Sequence, residues 1–167
     1  MFLDESGCNT DMTRRYAYSL GGSRAVDSAP LSKPKNTTIL SSIQLDGTLR
    51  YTTFSGGTTV ERFKRYLETD LLPHLNGNSV LIMDDMKSHH AKAVRNLLDS
   101  SGVRYIYLPP YSPDLNPIEK LWSKVKSFLR KFKARTLDAL PNAIQNAFHS
   151  VTISDCSGWF RFCGYAL

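Results

Sequence analysis

Three acidic side chains lie where predicted strands and a helix end or begin. Asp4 follows the apolar run at 2–3. Asp84 directly follows the apolar run at 80–83, and Glu119 falls in the first turn of a predicted helix. Because carboxylates at the ends of neighbouring strands converge on one edge of an open α/β sheet, these groups are expected at the edge where such sheets place active sites.

Three carboxylates held close together repel one another unless a cation neutralises them. Ligands that are all oxygen suit Mg²⁺ or Mn²⁺. Two such ions can stabilise both the attacking and the leaving oxygen of an in-line phosphoryl displacement. The residue types and their placement therefore predict metal-dependent phosphoryl transfer by Asp4, Asp84 and Glu119.

Each of these residues also has an ordinary structural interpretation. Asp4 and Asp84 could be turn residues at strand ends. Glu119 could complete a capping box in which Asn116 is the N-cap and Pro117 the first helical residue. That capping role is compatible with metal binding only if the Glu119 side chain turns toward the sheet.

Basic residues are concentrated just after Glu119, in a chain of formal net charge +6. Seven of them and no acidic residue lie between positions 120 and 135, namely Lys120, Lys124, Lys126, Arg130, Lys131, Lys133 and Arg135. This run is either a solvated helix face or a phosphate-binding surface. Lys120, Lys124, Lys126, Arg130 and Lys131 are the predicted DNA-binding set if the second interpretation holds.

Composition limits the class of protein. With 167 residues, of which 41% are hydrophobic and 22% charged, the chain suits one globular domain with its own core. No apolar run approaches the roughly 20 residues of a membrane span, and no signal peptide is predicted. Its three cysteines contain no CxxC pair, which argues against a disulfide framework or a zinc site and fits a reducing cytoplasm.

The elements that must position these residues follow from apolar patterning. Short apolar or β-branched runs predict strands ending at 2–3 and spanning 15–20, 36–45, 49–54, 79–83 and 103–108. Asp46-Gly47 predicts a hairpin turn, and 21–35 a loop. Helical spacing predicts helices at 58–72, 89–99, 117–133 and 137–149. The result is an α/β fold, a mixed sheet with an antiparallel meander plus parallel strands, flanked by helices.

Three segments resemble the catalytic blocks of mariner-superfamily DDE transposases, and are closest to the bacterial insertion-sequence branch. They are FLDESG, LIMDDMKSHH and YLPPYSPDLNPIEKLWSKVK. The third is the most specific, and the 34 residues between Asp84 and Glu119 match the spacing typical of that branch. The resemblance covers nearly the whole chain. It implies an RNase H-like fold of the retroviral-integrase type, with Asp4, Asp84 and Glu119 as the catalytic and metal-binding triad.

The resemblance also implies an activity. We expect an RNase H-like catalytic domain at 1–150 and a packed tail at 151–167, acting as a transposase that cuts the ends of an insertion sequence and transfers them to new DNA. Two Mg²⁺ or Mn²⁺ ions, transposon-end and target DNA, a homodimeric complex and a cytoplasmic, nucleoid-associated location are implied. No membrane partner is expected.

Two departures from the family pattern bear on this expectation. The family often has Asn where this chain has Asp85, a carboxylate that either perturbs the metal site or points away. The family's N-terminal helix-turn-helix region is not predicted here, so we expect it upstream or on another polypeptide. His89 does match a common family histidine, which could position DNA or water, although a local hydrogen-bonding role is equally compatible.

Two other functions remain open at this stage. A truncated, catalytically silent fragment could bind DNA or a full-length transposase and act as a regulator. A cellular nuclease of the RNase H type would also use clustered carboxylates, but the Asn-Pro-Ile-Glu segment at 116–119 fits that class poorly.

Overall fold

Strands and helices alternate around one mixed sheet. The computed structural model describes residues 1–28, 30–31 and 34–165. The strands are β1 (Phe2–Cys8), β2 (Thr37–Ile43), β3 (Leu49–Ser55), β4 (Val80–Met83) and β5 (Arg104–Tyr107). The α-helices are α1 (Val60–Tyr66), α2 (Lys92–Ser101), α3 (Ile118–Phe132), α4 (Ala139–His149) and α5 (Ile153–Phe162). Within the described residues, every helix is too short or too polar to cross a lipid bilayer.

The sheet order is β3-β2-β1-β4-β5. β1 pairs with β2 and β2 with β3 in antiparallel fashion, whereas β4 is parallel to both β1 and β5. An antiparallel meander thus continues into parallel strands, and helices pack on both faces. The predicted mixed sheet flanked by helices is confirmed.

The turn between β2 and β3 follows from its sequence. Gly47 has φ +88°, which is accessible to glycine at little cost, and Asp46 accepts a hydrogen bond from the backbone N–H of Thr48 at 2.9 Å. The two strands are paired over their full length, from Thr37↔Ser55 to Ile43↔Leu49. The predicted hairpin is confirmed.

Side-chain alternation along the strands creates two cores, one on each face of the sheet. Phe2, Ile39 and Ile43 pack with α3, α4 and α5 on one face. Leu3, Leu40 and the β4 residues Leu81 and Met83 pack with α1 and α2 on the other. The residue that follows Leu3 therefore points toward α3, and the next one toward α1 and α2.

The predicted strand at 15–20 is wrong. Those residues adopt no strand, and Tyr16, Tyr18 and Leu20 are 88%, 106% and 93% exposed. Both edges of β1 are occupied, by β2 and by β4, so a strand at 15–20 could not pair with β1. The predicted loop at 21–35 includes Ala29, Ser32 and Lys33, which lie outside the described residues.

The C-terminal segment forms a helix that sequence patterning had not predicted. α5 begins with a capping box in which Thr152 accepts from the N–H of Asp155, while Asp155 accepts from the N–H of Thr152. Its Phe160 packs edge-on against Phe2 of β1, with ring centroids 5.4 Å apart, and Cys156 of the same helix is fully buried. Ala166 and Leu167, at the end of the expected tail, lie outside the described residues.

We predict that α5 contributes to the stability of the sheet through Phe160. Replacing Phe160 with Ala removes a buried aromatic ring and should lower the free energy of unfolding by about 3 kcal/mol. Urea unfolding followed by far-ultraviolet circular dichroism measures the decrease. Phe162→Ala, on the same helix but 68% exposed, is the control and should cost far less. Equal decreases in the two variants would contradict the packing role of α5.

Candidate active site

Asp4 and Asp84 extend from neighbouring parallel strands at the same edge. The β1–β4 pairing runs through Phe2↔Ile82 and Leu3↔Met83 and stops there, so Asp4 and Asp84 are the next residues on the two strands. Contrary to prediction, Asp4 does not end its strand, because β1 continues to Cys8 along β2, where Asp4 pairs with Ser41. The two parallel strands separate at the position of the two carboxylates.

Glu119 approaches this edge from the first turn of α3. The capping box considered as an alternative for Glu119 does not form. The helix start has no side-chain cap, and Asn116 instead accepts the Glu119 N–H through its backbone carbonyl at 3.1 Å. The Glu119 side chain is exposed and lines an open cavity of about 380 Å³ together with Asp84, Asp85 and Tyr111. Glu119 and Asp84 therefore face the same space.

Asp4 is the buried member of the three, with only 7% of its surface exposed. Its Oδ2 accepts a hydrogen bond from Nε1 of Trp122 at 3.0 Å, and its Oδ1 accepts one from the backbone N–H of Glu5 at 2.7 Å. Burial raises the pKa of Asp4 to about 7 against the effect of these two bonds, and the negative charges of Asp84 and Glu119 add to the rise.

Trp122 links Asp4 to the helix that carries Glu119. The two α3 residues are three apart, so their side chains lie on adjoining parts of the helix surface. Trp122 is 3% exposed, so its ring is buried where α3 packs on the sheet. The hydrogen bond gives it a second role, because it sets the distance between the β1 carboxylate and the first turn of α3.

Asp84 is held from the opposite face of the sheet by His89. Nδ1 of His89 lies 2.8 Å from Oδ1 of Asp84, and Nε2 lies 3.2 Å from Oε2 of Glu5. Glu5 follows Asp4 on β1 and points to the other face, where the His89 ring stacks on Phe63 with centroids 4.2 Å apart. Strand alternation after Asp4 was the available signal for Glu5, which sequence analysis missed.

The charges of His89 and of the two carboxylates that it contacts, Asp84 and Glu5, stabilise one another. Burial alone would lower the pKa of His89, but its hydrogen bonds to Asp84 and Glu5 raise it to about 9. Burial would likewise raise the pKa of Asp84, yet the bond and the positive charge of His89 hold it below its ordinary value. Since His89 has no exposed surface, it cannot contact DNA directly, and any role in the site acts through Asp84.

Asp85 lies on the rim of the same cavity and is exposed. Its Oδ1 is 2.6 Å from Nε2 of His90, whose ring packs on Tyr107 with centroids 4.0 Å apart. The extra carboxylate at this position is thus paired with a neighbouring ring. His90 is half-buried by these contacts.

The basic residues after Glu119 fall into two groups, those that contact other residues of the protein and those that line an open groove. Lys124 pairs with Asp155 at 2.5 Å, and the Lys120 ammonium lies 3.7 Å from the centroid of the Phe162 ring. Lys126 is half-buried near Cys8, on the side of α3 that packs toward the sheet. Arg130 and Lys131 instead line a groove with Arg14 and Arg15. The expected DNA-binding set is therefore not one continuous face.

The donor chemistry of this edge suits a divalent cation. Its three carboxylates offer only oxygen atoms, and the negative charges of Asp84 and Glu119 help to raise the pKa of the buried Asp4. As the side chains stand, no three His, Cys, Asp or Glu residues of 1–28, 30–31 and 34–165 are close enough to hold an ion. Glu119, being exposed, can turn toward the other two.

Comparisons with known proteins agree on the family. The profile of a family described as DDE superfamily endonuclease matches residues 1–141. The chain is 29% identical to the Transposable element Tc1 transposase of Caenorhabditis elegans over 97 residues, which are 56% of this chain and 36% of that protein.

Solved structures show the fold. The chain is similar to the Mos1 transposase paired-end complex with left transposon end, at TM-score 0.77 and 18% identity, covering 96% of this chain and 50% of that one. The Mos1 mariner paired end complex with Mn gives TM-score 0.76 and 19% identity, covering 96% and 51%. The predicted RNase H-like fold is confirmed. The chain spans about half the length of these structures and a smaller share of the Tc1 protein.

We predict that the Trp122 N–H is needed for the buried carboxylate of Asp4. Trp122→Phe keeps an aromatic ring but removes the donor, leaving a buried acceptor unsatisfied, and should lower the free energy of unfolding by about 1–3 kcal/mol. Chemical denaturation measures this decrease. Trp159→Phe is the matched control, since Trp159 packs partly buried against the same core. If both variants are destabilised equally, the hydrogen bond to Asp4 contributes nothing.

Proposed function

The chain belongs to the DDE superfamily endonucleases, and from that premise we propose that it is the catalytic domain of a transposase. The proposed reaction cuts DNA at the ends of a mobile element and joins those ends to new DNA. The observation that carries this proposal is the placement of Asp4 and Asp84 side by side where β1 and β4 separate, with Glu119 lining the same cavity as Asp84.

Asp4, Asp84 and Glu119 would hold the metal, which we propose to be two Mg²⁺ or Mn²⁺ ions. When bound, the ions would neutralise the attacking and leaving oxygens of the phosphodiester. Burial, with a smaller contribution from the negative charges of Asp84 and Glu119, raises the pKa of Asp4, which supports binding of a cation beside it. One of the similar Mos1 paired end complexes is a complex with Mn.

The chain's own residues would supply positioning. Trp122 fixes Asp4 from the α3 side, and His89 with Glu5 fixes Asp84 from the other side, so the two strand carboxylates are held before substrate arrives. Glu119 is exposed and completes the set from the helix. The open cavity beside Asp84 gives a DNA strand access.

The proposed reaction needs no covalent protein intermediate. Water would cleave the phosphodiester at the element's end and leave a 3′-hydroxyl, which would then attack target DNA at the same site. No side chain of the protein acts as nucleophile in this scheme. Its residues orient the reacting groups and stabilise developing charge.

The partners we propose are the element's ends and target DNA. One structure of the similar Mos1 transposase is a paired-end complex with left transposon end, which supports DNA as substrate. We propose a homodimer as the active form. A helix-turn-helix part, on the same polypeptide or a separate one, would recognise the ends. We place the chain in the bacterial insertion-sequence branch on its YLPPYSPDLNPIEKLW segment, which implies action at the nucleoid.

We predict that Mn²⁺ or Mg²⁺ raises the melting temperature of the chain, because an ion that binds only the folded state stabilises it by mass action. Thermal denaturation at increasing metal concentration measures the rise. Asp84→Asn should abolish most of it. Asp114→Asn removes an equal charge from the nearby loop before α3 and should keep it. An undiminished rise in Asp84→Asn would remove Asp84 from the metal site.

We further predict faint, nonspecific nicking of supercoiled plasmid with Mn²⁺, abolished in Glu119→Gln. Cutting should be weak because correct placement of DNA contributes much of the rate of such reactions. Fusing a helix-turn-helix that recognises the element's ends upstream of Met1 should restore cutting at defined positions. A folded fusion that binds those ends and cuts nothing would instead support the catalytically silent regulator.

A further inference from the structure

One exposed stripe of α3 extends away from Glu119. Ser123, Ser127 and Lys131 follow Glu119 at four-residue intervals, so each side chain adjoins the next. The stripe winds by about 120° around the helix between Glu119 and Lys131. Each is exposed, and the two serines present small hydroxyl groups. With about 1.5 Å of rise per residue, the stripe is about 18 Å long.

The far end of the stripe opens into a basic groove. Arg14, Arg15 and Tyr16 face Arg130 and Lys131 across a space of about 490 Å³ that extends to the two serines of the stripe. None of the described residues that line it is acidic. Partial burial lowers the pKa of Arg130, and the positive charge of Arg15 lowers it further, so cationic groups are crowded together here without compensation.

The cations of the groove differ from the other basic residues around it. Lys124 and Lys133 are each paired with a carboxylate, of Asp155 and Asp27 respectively. Among the described residues, no ion pair involves the four groove cations, which are Arg14, Arg15, Arg130 and Lys131. These four therefore remain available to an external anion, which would provide the charge-assisted hydrogen bonds that internal pairs provide elsewhere.

The segment that forms the second wall is attached to the fold. Arg135 donates from Nη1 to the backbone carbonyls of Thr10 and Met12, both at 3.1 Å. That contact ties the chain just before Arg14 to the end of α3. Tyr16 lies outside any strand and is 88% exposed, so its side chain is available in the groove.

We propose that this groove binds the phosphodiester backbone of duplex DNA beside the catalytic site. Three of its four cations are arginines, and a guanidinium group can contact two phosphate oxygens at once, whereas a lysine ammonium acts as a point charge. Serine and tyrosine hydroxyls also contact phosphates. No carboxylate lies on the stripe between Glu119 and Lys131, so a strand can follow it without repulsion.

The length of the stripe determines how many nucleotides separate the catalytic site from the groove. At about 3.4 Å per nucleotide along the duplex axis, 18 Å corresponds to roughly five nucleotide steps between the phosphate at Glu119 and the phosphates in the groove. This inference rests on the proposed function for the identity of the nucleic acid. The binding itself requires neither metal nor cleavage.

The test measures DNA binding in EDTA, by fluorescence anisotropy on a duplex of about 40 base pairs between about 50 and 200 mM salt. The double variant Arg14→Ala, Arg15→Ala should reduce the slope of log K against log salt by about 2, close to one for each phosphate that is no longer neutralised. Lys92→Ala, Arg95→Ala is the matched control. It removes the same charge from exposed positions of α2, on the other face of the sheet, and should leave the slope near the wild-type value.

Equal slopes in the two double variants, or no binding of duplex by the wild-type chain at low salt, would overturn the proposal that the groove binds DNA. The result is separable from the catalytic proposal, because Glu119→Gln should retain the full slope while it abolishes nicking. The expected slope change with no nicking would support DNA binding by the groove and reject only the proposed catalytic activity. Nicking without a slope change would reject only DNA binding by the groove.

Discussion

The structure depends on keeping a carboxylate inside a strand. Asp4 is 7% exposed and lies in the middle of β1, a position where desolvation disfavours its charged form. The fold offsets this with one indole N–H and one backbone N–H, yet burial and the neighbouring carboxylates still keep its pKa raised, to about 7. A cation close to Asp4 would stabilise the charged form of this carboxylate. Binding of the proposed metal would therefore also stabilise the fold.

Because β1 is central, each face of the sheet supports a different carboxylate. Asp4 points toward α3, whereas Glu5 points toward α1 and α2 and, through the buried ring of His89, holds Asp84. The two supports share only the backbone of β1. A displacement of that strand would therefore disturb both carboxylates together, which makes the β1–β4 pairing the geometric reference of the site.

Local sequence patterns predicted most of the fold but not the long-range contacts that hold the carboxylates of the site in place. The β-branched run at 36–45, the Asp46-Gly47 turn and the α3 periodicity are each specified by adjacent residues, and the structure confirms them. The bond between Trp122 and Asp4 joins residues 118 positions apart, so it arises only when the chain folds. The strand predicted at 15–20 failed for a related reason, since apolar alternation cannot reveal that both edges of β1 are already occupied.

The rotation of α3 about its own axis determines which of its side chains face the sheet and which face solvent. Leu121, Val125 and Leu129 are buried against the sheet and fix that rotation, which leaves the stripe from Glu119 to Lys131 facing solvent. Each residue turns an α-helix by about 100°, so a shift of one position in this apolar pattern would bury Glu119 and withdraw the indole of Trp122 from Asp4. The same geometry places Lys124 beside Asp155, with which it forms an ion pair, and Lys131 on the stripe, where it lines the groove with Arg14 and Arg15. Hydrophobic spacing in α3 thus determines both where Glu119 lies and that Lys131 faces the groove.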